Sequence, residues 1–217
     1  MIIIDHDHPR YREKWRKLGG NRYNGAFYYS KEIRKYFIPN IATTRNWITV
    51  NIPNLGVNHS IVFIHNNLHP EHYNWLKRFN DLVLVCSTKE TAQKVKHIGK
   101  AIVLPLSIKV DEVKQYMVDD KTEEIAYIGR DIKMAGTDLP EGIDMITNMP
   151  RTKLLPIIAE YRKVYAVGRT AIEAKALNCK VLPFDPRYPN PARWKVLDSL
   201  DAAKLLQDKL DKIDKRL

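Results

Sequence analysis

An α/β fold of parallel strands covered by helices is what this 217-residue chain predicts, and three observations carry the expectation. Short β-prone apolar runs alternate with helix-forming segments along most of its length. Capping and stopping residues stand where those helices should begin and end. One stretch, Arg162-Lys-Val-Tyr-Ala-Val-Gly-Arg-Thr-Ala-Ile-Glu-Ala-Lys-Ala-Leu-Asn-Cys-Lys-Val-Leu-Pro-Phe-Asp185, reads as strand, tight turn, short helix and strand in unbroken order.

The elements follow in sequence. Residues 2–4 form a first strand, and 24–37 a helix rich in bulky aromatics. Strands are expected at 47–50 and 61–64, then a helix over 70–79 with Pro70 in its first turn, where a missing N–H costs nothing. Residues 81–86 make a buried strand; Ser87-Thr-Lys-Glu90 has capping-box spacing and opens a helix that runs to His97 and stops at Gly99. A strand at 101–106 closes the first half, and 109–123, mixed in charge and without clean periodicity, reads as the crossover. Beyond it come a strand at 164–167, a turn at Gly168, a helix at 171–177, a left-handed stop at Asn178 and a strand at 181–184. Residues 197–217 place Leu205, Leu206, Leu210, Ile213 and Leu217 on an amphipathic helix, expected to pack within the molecule rather than on a bilayer. The organisation predicted is 1–108 and 109–197 as two domains, with a helix over 198–217 that packs back.

Composition narrows the class. The chain is 44% apolar, enough for a buried core, and no apolar run approaches the roughly 20 residues that span a bilayer. Residues 1–5 are too short an apolar run for a secretory signal. Cys86 and Cys179 each end an apolar segment and read as buried thiols of a reducing compartment, so a cytoplasmic protein is expected. Neither a P-loop nor GxGxxG is present, which excludes the usual ATPase and dehydrogenase cradles.

Charge is uneven. Residues 1–50 hold ten basic against four acidic side chains and 51–100 hold six against three, whereas 101–150 hold five against ten. Aromatics, among them Tyr11, Trp15, Tyr23, Phe27 and Tyr36, are interleaved with the first basic block. A basic, aromatic surface suits a polyanion: nucleic acid, whose counterions are released on binding, or an anionic membrane face; a merely soluble basic surface is the plainer reading.

Three loops could carry chemistry. Asp5-His-Asp-His-Pro9 follows the first strand, whose carboxyl end faces the cleft in α/β folds, and Asp5, His6, Asp7 and His8 are candidates for a general base, Asp7 first and Asp5 second; either Asp could instead cap the turn before Pro9. Gly19-Gly20-Asn21-Arg22 is a second loop, and His65-Asn-Asn-Leu-His-Pro-Glu-His72 a third. The histidine spacings of His6, His8, His65, His69 and His72 match no tight metal motif, so no metal is expected.

Arg169-Thr-Ala-Ile-Glu-Ala174, followed by a small-residue turn and Lys180-Val-Leu-Pro183, resembles the donor-site segment of glycosyltransferases built from two facing Rossmann-like domains, the GT-B fold. Ala126-Tyr-Ile-Gly-Arg130, with Lys133 close behind, is similar to the strand opening that family's C-terminal domain. The resemblance implies a reduced GT-B enzyme of phage or bacterial type, similar to phage DNA glucosyltransferases. Its donor would be a nucleotide sugar, a UDP-sugar such as UDP-glucose first. Glu173 would hold the ribose; Arg130, Lys133 and the N–H groups at Arg169, Thr170 and Ala171 the diphosphate; Gly19, Gly20 and Arg22 would close over the donor. Many retaining members carry a further Glu eight positions before the ribose Glu, where this chain has Tyr165. The acceptor implied is a polyanion, a hydroxylated base in DNA before a membrane-bound one. From the residues alone, Thr170 and Glu173 also stand at capping-box spacing, and Arg130 and Lys133 could be a solvated face. Rival functions are a nucleic-acid-binding protein that kept the fold without transfer, and a transferase acting on lipid-linked or cell-wall acceptors.

Overall fold

The computed structural model describes residues 25–45, 47–50, 58–64, 70–129, 139–183, 190–193 and 195–215. The expected first strand, Asp5, Asp7, Gly19, Gly20, Arg22, the loop from His65 to His69, Arg130 and Lys133 lie outside the described residues. The chain divides into two compact units, Met1–Leu106 with Leu200–Leu217, and Ser107–Ser199. Each is built on a four-stranded parallel sheet.

In the first unit β1 (Trp47–Val50), β2 (Ser60–Ile64), β3 (Val83–Cys86) and β4 (Lys100–Val103) lie side by side in chain order. Every residue of β2 and β3 is buried, as a parallel sheet covered on both faces requires, which is why these strands read as unbroken apolar runs. On one face, Val62 and Ile64 pack with Leu76, Leu84, Val95 and the half-buried Tyr73 and Trp75, contributed by α2 (Pro70–Leu76), the sheet and α3 (Lys89–Val95). On the other, Phe63 takes two edge-on ring contacts, from Tyr29 at 5.8 Å and Phe37 at 5.7 Å.

Those rings come from α1 (Gly25–Glu32) and the turn after it. The expected helix over 24–37 is regular only as far as Glu32; Ile33–Phe37 widens to π geometry, and Ile38–Asn40 tightens to a 3-10 turn. Pro39 has no N–H to donate and crowds the preceding turn, so the helix cannot run on regularly. The capping box expected at Ser87 is also shifted. Thr88 is the cap, its hydroxyl accepting from the Thr91 N–H at 3.1 Å.

In the second unit the strand order is β6-β5-β7-β8, with β5 at Thr122–Gly129, β6 at Asp144–Thr147, β7 at Tyr161–Tyr165 and β8 at Lys180–Leu182. Helix α5 (Arg151–Glu160) joins β6 to β7, and α6 (Gly168–Ala176) joins β7 to β8. The segment expected as plain crossover holds a short helix, α4 (Val110–Lys114), whose first N–H donates to the Asp198 carboxylate at 3.1 Å. Ile108 pairs in parallel with Asp198, so the incoming and outgoing chains of this unit run together.

The C-terminal helix α7 (Ser199–Asp214) belongs to the first unit beyond Ser199. It buries Ala202, Ala203, Leu206 and Leu210, while Leu205, expected on the apolar stripe, is exposed. Gln207 grips both backbone groups of Ala42, at 2.7 and 3.1 Å. Among the described residues no helix is long and apolar enough to cross a membrane. Cys86 and Cys179 are free and buried; burial pushes the Cys86 thiol up to about 12, and raises Cys179 against the opposing pull of Lys121.

One polar network secures the amino ends of the first sheet. Arg45, with no exposed side-chain area, donates to the Asp81 carbonyl at 2.8 Å and reaches the carboxylates of Asp81 and Asp214 at 3.4 and 3.3 Å. His59 Nδ1 lies 2.5 Å from Asp81 Oδ2, and both residues hold positive φ, 61° and 54°. Partial burial alone would raise the Asp81 carboxyl, but the His59 hydrogen bond and the Arg45 charge outweigh it and hold the group below its ordinary 3.8. A depressed folded-state value means stability that is complete above 3.8 and is lost as pH falls through the lowered value. Urea unfolding should therefore show Asp81→Asn less stable than wild type at pH 7, with the gap closing as pH falls below 3.8; a gap that stays constant down to about pH 2 would contradict the network.

Candidate functional site

In open α/β sheets ligands settle at the carboxyl ends of the strands, where successive connections leave in opposite directions. The second sheet has one such point. After β5 the chain crosses to β6 on one side, and after β7 it crosses to β8 on the other, which leaves the carboxyl ends of β5 and β7 as neighbours.

The residues at those ends fit a close approach. Gly129 ends β5, and a Cβ there would lie 2.1 Å from the hydroxyl of buried Tyr127, so glycine is what the ring allows. Gly168 follows β7 at φ 59°, in open space; its requirement is the left-handed backbone rather than packing. Helix α6 begins there, three residues before its expected start, with Val167 at the N-cap and no side chain capping it. Helix α5 begins after β6 behind Pro150, again with no side-chain cap. Two helices of ten and nine residues thus start at strand carboxyl ends, and neither N-cap residue, Pro150 or Val167, caps its helix with a side chain.

Each start carries an arginine, and both arginines meet one carboxylate. Arg151 Nε donates to Glu173 Oε1 at 2.7 Å, and Arg169 Nε donates to the same oxygen at 2.9 Å. Glu173 is 3% exposed, Arg169 8% and Arg151 18%. Cations are unfavourable at helix N-termini, and Glu173 offsets that charge by accepting from both guanidiniums. Two guanidiniums thus stand beside two positive helix ends, a grouping of the kind that attracts anions.

Of the residues singled out in the sequence, Arg169, Thr170, Ala171 and Glu173 are brought together on α6. Thr170 is not the N-cap, so the capping-box reading of Thr170 and Glu173 fails: the helix has already begun at Gly168, and the carboxylate turns to the two guanidiniums instead. The N–H groups in the first turn are those of Gly168, Arg169 and Thr170, one residue earlier than expected, and Ala171 is fully buried. Arg151 is absent from the expected site residues because α5 is absent from the expected elements. A usable signal stands there, Pro150 ahead of apolar Leu154, Leu155 and Ile158 at helical spacing.

No protein-family model, curated protein or solved structure matches this chain at a significant level.

Removing the shared carboxylate should leave two like charges facing each other at the helix starts. Glu173→Ala is expected to cost about 3–5 kcal/mol in urea unfolding, part of it restored by tens of millimolar phosphate or sulfate, as the range for breaking a buried ion pair suggests. A loss below about 1 kcal/mol, or no response to anions, would show that the carboxylate does not hold the pair.

Proposed function

We propose that this chain is a small glycosyltransferase of the GT-B type, with its nucleotide-sugar site at the switch point of the second sheet. The single observation that supports it is the convergence of Arg151 and Arg169 on Glu173 at two helix starts without side-chain caps. A diphosphate is the ligand such a site suits: its oxygens accept from helix N–H groups and from guanidiniums.

In this reading Arg151, Arg169 and the N–H groups of Gly168 and Thr170 hold the diphosphate, joined by Arg130, the residue after Gly129, and by Lys133. Glu173 first positions the guanidiniums; once the diphosphate draws them, the carboxylate turns to the ribose hydroxyls. Gly19, Gly20 and Arg22 close over the donor, a UDP-sugar first. Asp7, or Asp5, accepts the proton of an acceptor hydroxyl as its oxygen bonds the anomeric carbon and the bond from that carbon to the diphosphate breaks. Negative charge grows on the departing diphosphate, and fixed cations stabilise it most in the transition state. The acceptor favoured is a hydroxylated base in DNA, since the first hundred residues carry sixteen basic against seven acidic side chains; a base within a duplex has to be turned out to react.

The same anion site would serve a binding protein without transfer activity, and turnover separates the two. Thermal unfolding with UDP, other nucleoside diphosphates and their sugars should show one nucleotide family raising the wild-type midpoint by roughly 5–10 °C at a hundredfold excess over Kd. Arg151→Gln should abolish that rise. Release of the nucleoside diphosphate in the presence of acceptor marks a transferase; binding without release marks the inactive alternative. No rise with any nucleotide would defeat the donor site itself.

A further inference from the structure

The first unit carries a second charged feature, at the opposite end of its sheet from the carboxyl edge where α/β folds take small ligands. Because β2, β3 and β4 are parallel, α2 and α3 each run back and deliver the chain to the amino end of the next strand. Lys77 and Arg78 lie between α2 and β3; Lys94, Lys96 and His97 lie at and beyond the end of α3; Lys100 is the first residue of β4 and pairs with Val83. The Lys100 N–H donates to the Leu82 carbonyl at 2.8 Å, which ties the two connections together.

All six side chains are exposed. Among the described residues the four lysines and Arg78 have no ion-pair partner, whereas the acids that share this end are occupied: Asp81 by Arg45 and His59, Asp214 by Arg45. Glu90 sits in the first turn of α3, at the other end of the sheet. Favourable interaction with a helix C-terminus explains Lys94, in the last turn of α3. It does not explain five unpaired cations gathered over two connections.

We infer that this end of the first unit is a docking surface for the phosphate backbone of duplex nucleic acid, contacted by Lys77, Arg78, Lys94, Lys96 and Lys100. An anionic bilayer offers similar charge, but stable peripheral anchoring also needs apolar side chains that insert. Among the described residues the exposed large apolar ones are Met117, Val118, Met145, Val196, Leu200 and Leu205, and none is in this patch. Lysine-rich contact of this kind reads phosphate without sequence preference and weakens steeply with salt. The inference rests on the polyanion part of the proposed function and is independent of sugar transfer.

The test is anisotropy of a labelled duplex of about 30 base pairs against the full chain, from about 50 to 200 mM salt, where binding of this kind changes most. Lys94→Glu/Lys96→Glu/Lys100→Glu should weaken binding roughly tenfold or more and lower the salt slope by about 3, one unit for each lost phosphate contact. Lys204→Glu/Lys209→Glu, reversing one exposed and one half-buried charge on α7, should leave both nearly unchanged. Circular dichroism and the nucleotide-induced thermal rise should be retained by the triple variant, so that loss of duplex binding is distinct from loss of fold or of the donor site. Wild-type affinity in the triple variant, equal loss in the α7 variant, or sedimentation with phosphatidylserine vesicles without duplex binding would each overturn the assignment.

Discussion

The shared carboxylate of Glu173 is the constraint on which the arrangement of the second unit's helix starts depends. It fixes two arginines from two different helices at 2.7 and 2.9 Å, and so fixes the starts of α5 and α6 relative to each other. Without it the unit would bring two cations to two positive helix ends and lose the acid that holds both. Guanidiniums held by a nearly buried acid have already lost much of their freedom, which lowers the ordering cost that an anion would otherwise meet.

The two sheets use their ends differently. In the second unit glycines stand at the carboxyl ends of β5 and β7 and helices start after β6 and β7, features that leave backbone accessible. In the first unit the amino ends are knitted by Arg45, whose buried guanidinium links the segments leading into β1 and β3 with the end of α7. Asp81 accepts from both Arg45 and His59, which holds it ionised under ordinary conditions. The network consumes the acids at that end and leaves the neighbouring lysines uncompensated. Stability and surface charge thus arise from the same arrangement.

Much of the fold is legible in the sequence because burial there is periodic or continuous. The run Ser60–Ile64 is buried at every position, and Asn178 takes the left-handed φ of 60° expected where α6 stops. The elements that the sequence does not announce lack local signals. Pro156 stands inside α5, and interior proline argues against a helix. Strand β6 is an exposed edge whose four residues show no clean alternation of burial. Helix α4 is capped by Asp198, 88 residues away, a partner no local window contains. At the site, Glu173 and Arg169 stand out in the sequence, but the capping-box spacing of Thr170 and Glu173 suggests a partner that the helix start at Gly168 removes. Arg151 becomes visible only through the tertiary contact.

Hydrogen–deuterium exchange of the full chain, with and without saturating UDP, tests the Glu173-centred site most directly, since it reports where a ligand orders the backbone. Slowed exchange is predicted in peptides covering 148–153 and 166–173, at the starts of α5 and α6. Protection confined to the first unit, or none at a concentration that raises the unfolding midpoint, would place the nucleotide elsewhere and contradict that site.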